Sequence, residues 1–144
     1  MIDTDTKKRR EFIAKIEKAG HKSKLEDSPL YREYQLLKLM REKSVTVYVH
    51  NFHEDYTTGS LYYVMILDLL EDSLMDHKKP YGLQKCLDIA TRLIEIVRAV
   101  HAEGLVVRDI RADSFCFDSC GNIYLTHLNH ARAFLSLGRY HIPW

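Results

Sequence analysis

No apolar run in this chain approaches the roughly 18 residues that a membrane-spanning helix needs. No signal-peptide pattern opens it either. The expectation is an intracellular protein, cytoplasmic or nuclear, without a membrane surface. An excess of charge of one sign is also missing. Lys and Arg number 21 against 20 Asp and Glu, a formal net charge of +1. That balance gives no case for a nucleic-acid partner. The chain has only three cysteines, which read as reduced thiols. Gly-x-Gly-x-x-Gly occurs nowhere among its six glycines, so a glycine-rich phosphate cradle of that pattern is excluded. No internal repeat, low-complexity segment or linker stands out.

What is present suits one small core. The chain has 144 residues, 46% of them hydrophobic, enough for about one domain. A basic cluster, Lys7-Lys8-Arg9-Arg10, belongs to a flexible N-terminus over residues 1–11. Residues 12–17 form a short apolar strand, and 20–27 a polar loop. Ser28 is a good helix N-cap with Pro29 at the first helical position, and an apolar face follows at Leu30, Leu36, Leu37 and Met40. Val45, Val47 and Val49 alternate as in a half-buried strand. Residues 55–60 read as a hairpin loop with Gly59 at the turn, and 61–70 as an apolar strand. From Leu83 to Ala102 apolar residues fall at helical spacing, with Gly104 ending the helix. Residues 115–117 and 123–126 form a small hairpin.

The segment Val107-Arg108-Asp109-Ile110-Arg111-Ala112-Asp113-Ser114-Phe115 resembles a protein-kinase catalytic loop, His-Arg-Asp-Ile-Lys-Pro-Glu-Asn-Phe. Asp109 stands in place, but Val107, Arg111 and Ser114 replace His, Lys and Asn. The family places Asp-Phe-Gly shortly afterwards, where this chain has His127-Leu128-Asn129. Upstream, Phe12-Ile13-Ala14-Lys15-Ile16-Glu17 resembles the third-strand Val-Ala-Ile-Lys pattern. Glu33 is spaced for the partner carboxylate of Lys15, and Tyr63 to Leu70 is similar to the fifth strand and hinge. His130-Ala131-Arg132 resembles the Leu-Ala-Arg that often follows the metal motif. Glu71-Asp72-Ser73-Leu74 gives the chain its nearest look, to the casein kinase 1 and vaccinia-related group.

The resemblance implies an α+β, truncated protein-kinase-like fold, a partial N-lobe sheet with one helix plus the first part of the helical C-lobe. Residues 12–70 would be the partial N-lobe and hinge, and 71–144 the truncated C-lobe. Met1 favours a real start. Lys15 and Glu33 would be a vestigial nucleotide site, and Asp109, Arg108 and Arg111 vestigial catalytic groups. Arg108 would meet packing or an intramolecular carboxylate. No metal is expected at the degenerate positions Ser114 and His127, because magnesium needs hard oxygen ligands. Cys116, Cys120, His127 and His130 offer a rival zinc pattern whose spacing is short for a finger.

Taken together, these features lead to the expectation of a pseudokinase, not an enzyme. It would work by protein–protein interaction, as a regulator or decoy of a kinase pathway or as a scaffold subunit. No cofactor is expected beyond weak ATP binding. The partner would be a protein, a kinase or a kinase substrate, or a second copy of the chain. The contact surface would be the long helix, through Leu87, Ile89, Leu93, Ile94, Ile96, Val97 and Val100. The alternative is an unconventional nucleotide-binding protein or residual protein kinase using Lys15, Glu33 and Asp109.

Overall fold

The computed structural model describes residues 11–20, 24–76 and 80–134. The basic cluster at 7–10 and the tail at 135–144 lie outside the described residues, as does part of the 20–27 loop. Strand β1 (Phe12–Lys18), helix α1 (Pro29–Met40) and strands β2 (Val49–Thr57) and β3 (Ser60–Asp68) come first in chain order. Helix α2 (Leu83–Ala102), the short strand β4 (Leu105–Val106), the hairpin β5 (Phe115–Phe117) and β6 (Ile123–Leu125), and β7 (Arg132–Ala133) complete the order.

The first three strands make an antiparallel sheet in the order β1-β3-β2. Strand β3 is central, and its alternate residues Tyr63, Met65 and Leu67 are buried. Lys15 pairs with Met65, and Glu17 with Tyr63. Antiparallel partners share a face, so these two polar residues of β1 stand on the core side of the sheet. The opposite face carries Phe12 and Ile16, both exposed.

Helix α1 covers the core side. Its buried residues Leu30, Glu33, Leu37 and Met40 recur at helical spacing. The Ser28 hydroxyl accepts from the Tyr31 amide at 3.1 Å, as an N-cap should. The same hydroxyl donates to Glu17 Oε2 at 2.9 Å, and the Leu30 amide donates to that oxygen at 2.9 Å. A β1 carboxylate thus caps the positive end of α1 and fixes the helix against the sheet.

Three local expectations need correction. Residues 25–27 are a short 3-10 turn, not open loop. The β2–β3 hairpin is longer than the polar sequence suggested: Asp55, Tyr56 and Thr57 pair with Tyr62, Leu61 and Ser60. Only Thr58 and Gly59 form the turn, both at positive φ (52° and 75°), which matches the right-handed strand twist. Val45 and Val47 are buried but stand ahead of β2. They bond β6 instead, through Val47 N to Leu125 O and Leu125 N to Val45 O.

Helix α2 occupies Leu83–Ala102, the predicted bounds. Gly104, at φ 77°, follows it and donates to the His101 carbonyl. Its apolar residues divide by face. Ile89, Ile96 and Val100 are buried, and Leu93 and Val97 pack against the same core. Ile89, Ile96 and Val100 cannot belong to the expected contact surface, because the chain's own core covers them, while Leu93 and Val97 are only half-buried. Leu83, Leu87 and Ile94 are the exposed large residues of the helix, at 78%, 53% and 68%.

The β5–β6 hairpin links the parts. The 71–74 segment bonds β5 through Glu71 N to Phe117 O and Leu74 N to Phe115 O. The result is a mixed α/β fold with a small sheet and helices α1 and α2, compatible with a partial kinase-like fold. Among the described residues, no helix is long and apolar enough to cross a membrane.

Candidate functional site

The structure brings Lys15 and Glu33 together. The Lys15 ammonium donates to Glu33 Oε1 at 2.8 Å and to the Thr126 carbonyl at 3.3 Å. Glu33 is only 4% exposed. Its Oε1 also accepts from the Leu128 amide, at 3.2 Å. A buried carboxylate needs such partners, since an unpaired one would be very costly. The pair therefore joins β1, α1 and the segment after β6, which are far apart in sequence. The Lys15 side chain keeps 24% of its surface exposed.

His127 stands beside this pair. Its Nδ1 lies 2.8 Å from Thr126 Oγ1. That hydroxyl is itself 3.1 Å from the Ser114 carbonyl. If the hydroxyl gives its single hydrogen to the carbonyl, Nδ1 donates and Nε2 is left as an acceptor. Partial burial of the ring, then the Lys15 ammonium, hold the His127 pKa below its ordinary 6.5. At neutral pH the imidazole is uncharged.

The loop after β4 carries the other candidates. Arg111 Nε lies 3.0 Å from Asp109 Oδ1 and 3.4 Å from Asp113 Oδ1. One guanidinium thus lies between two carboxylates. Asp109 is partly exposed, and Arg111 more so. Arg108 sits at φ 64°, an unusual backbone for a non-glycine residue. Its Nε donates to the His130 carbonyl at 2.7 Å. The expected carboxylate partner is replaced by a backbone oxygen, which ties the loop to the segment before β7.

The kinase-like resemblance implies magnesium, and the residues do not fit it. The implied positions carry His127, an uncharged imidazole, and Ser114, whose buried hydroxyl has no hydrogen-bond partner. Magnesium takes oxygen ligands in strict octahedral geometry, usually including carboxylate. Imidazole suits softer ions. The rival zinc pattern fares no better: Cys116 lies in β5 opposite Tyr124. Among the described residues no cluster of three or more His, Cys, Asp or Glu could hold a metal.

The contacts missed from sequence are backbone ones. The Thr126 carbonyl and the Leu128 amide complete the Lys15–Glu33 site, and Glu17 orients its helix. Glu17 carried a signal, since it sits two positions beyond Lys15 on the same strand face. A separate cavity of about 600 Å³ is lined by Arg41, Tyr48, Asp68, Glu71, Asp118 and Tyr124 among others, and shares no lining residue with this site.

The chain is similar to casein kinases. It is 25% identical over 131 residues to casein kinase I homolog 1 of Saccharomyces cerevisiae, covering 84% of this chain and 24% of that protein. It is 25% identical over 134 residues to a probable casein kinase I homolog of Encephalitozoon cuniculi, covering 92% of this chain and 43% of that protein. The chain thus spans less than half the length of these curated relatives. No family model matches it. The similarity supports a kinase-like relationship. It also corrects the expectation of a non-enzyme: both relatives are named as kinases, and loss of activity does not follow from Ser114 and His127 alone.

Proposed function

We propose that this chain carries the nucleotide-binding elements of a casein-kinase-I-like phosphotransferase. The observation that carries the reading is the buried Lys15–Glu33 pair, closed by the Leu128 amide. Such a pair holds a lysine ready for nucleotide phosphate oxygens. Arg111 adds a second cation beside Asp109, able to make charge-assisted bonds to phosphate. Asp109 would accept the proton of a protein hydroxyl as that oxygen bonds the terminal phosphorus and the bond to the nucleoside diphosphate breaks. A positioned carboxylate suits this role, and the partial exposure of Asp109 supports it.

The test is phosphoryl transfer from ATP to casein by the full chain and by Asp109→Asn, with magnesium present and with it chelated. The expected outcome is transfer that falls by about 10²-fold or more in the variant, the range of a lost general base. Transfer that is undetectable in the wild-type chain, or equal in Asp109→Asn, would overturn the assignment.

A further inference from the structure

We propose that the Lys15–Glu33 site takes its nucleotide free of magnesium, with Lys15 and Arg111 supplying the positive charge. This rests on the nucleotide reading above. Magnesium held on a nucleotide is retained at a protein site by carboxylates beside the phosphates. The nearby carboxylates Glu33, Asp109 and Asp113 each lie within ion-pair distance of a cation, although Asp113 Oδ1, 3.4 Å from Arg111, makes no hydrogen bond. Glu33 is bound by the Lys15 ammonium and by the Leu128 amide. Asp109 and Asp113 both face Arg111. A hard cation would have to displace one of these partners.

The remaining positions do not compensate. The His127 ring is tethered through Nδ1 to Thr126, and Thr126 is tethered to Ser114 by its hydroxyl. The ring therefore cannot swing aside to admit water-bound metal without breaking that chain of contacts. Ser114 Oγ has essentially no exposed surface, so it is closed to a ligand at this site. Its carbonyl is also occupied, accepting from the Thr126 amide at 2.9 Å. A metal-free nucleotide carries more negative charge than its magnesium complex, and that charge is drawn to the Lys15 ammonium and the Arg111 guanidinium, the one paired with Glu33 and the other shared between Asp109 and Asp113.

Calorimetric titration of the full chain with ATP, in EDTA and in excess magnesium, separates the possibilities. The expected result is binding whose affinity is unchanged to within about twofold, or weaker in magnesium because the ion neutralises the phosphates. Affinity that rises about tenfold in magnesium would overturn this inference and leave the nucleotide reading standing. Binding in neither condition would overturn the nucleotide reading itself, and this inference with it. A second measurement uses His127→Asp, which places a carboxylate at the implied metal position. That variant is expected to acquire tighter binding in magnesium than in EDTA. Indifference to magnesium in His127→Asp would overturn the assignment of the effect to residue 127.

Discussion

Glu33 is nearly enclosed, and its two partners explain why that is tolerable. Glu33→Ala would leave Lys15 and the Leu128 amide short of an acceptor. The cost is expected at about 1–3 kcal/mol, the penalty for stranding a buried polar group, while Glu33→Gln should cost less because it keeps an acceptor oxygen. Urea unfolding of both variants checks this, and equal losses would contradict it. His127 gives a pH prediction. Around it lie Lys15 from β1, Glu33 from α1, and Arg111 and Asp113 from the loop before β5. Its folded pKa lies below the 6.5 of the free group, so the unfolded chain takes up the proton first. Stability is then full above about pH 6.5 and falls as pH drops through the window down to the folded pKa. His127→Gln should lose less stability than wild type between pH 7.5 and pH 5 in paired urea titrations. Equal losses would show that this ring does not contribute. From sequence, position 127 was legible as a departure from an acid, but its tether to Thr126 was not, because that contact depends on where β6 ends.

At the scale of elements, α1 is oriented by two caps at its N-terminal end. Ser28 caps it from within, and Glu17 caps it from the neighbouring strand. Ser28→Ala is expected to cost about 1 kcal/mol, the usual loss for an N-cap. An unchanged urea midpoint would mean that Glu17 alone holds the helix end. The cap was readable from Ser28-Pro29, since capping is local chemistry. So was α2, whose apolar spacing over 20 residues matches the observed helix. The β2–β3 turn at Gly59 was readable, but its loop was drawn too long because Asp55, Tyr56 and Thr57 look like loop residues, while their conformation follows from pairing with β3. The valines at 45 and 47 have strand-like spacing, but their hydrogen bonds go to β6, a distant partner that periodicity does not specify.

For the whole molecule, the sheet and α1 on one side and α2 with the β5–β6 hairpin on the other meet through one set of buried residues. Helix α2 has apolar residues around much of its circumference, and spacing alone could not say which stripe the chain itself would cover. The answer is Ile89, Ile96 and Val100, with Ile94 left outside. Ile96→Glu is therefore expected to unfold the chain, because it buries an unpaired charge, whereas Ile94→Glu should leave the unfolding midpoint within about 0.5 kcal/mol of wild type. Circular dichroism through a urea gradient reads both, and a severe loss in Ile94→Glu would mean that this face is covered by a contact of the chain. The same whole-molecule arrangement brings Lys15, Glu33 and the backbone of Thr126 and Leu128 to one place, from elements that sequence could align but not assemble. The most direct measurement is therefore ATP binding by the wild-type chain and by Lys15→Met, each confirmed folded by circular dichroism. The account predicts saturable binding that weakens about tenfold or more in the variant, the effect of losing roughly 1.4 kcal/mol of phosphate contact. Equal affinity in Lys15→Met, or no binding by the folded wild-type chain, would contradict it.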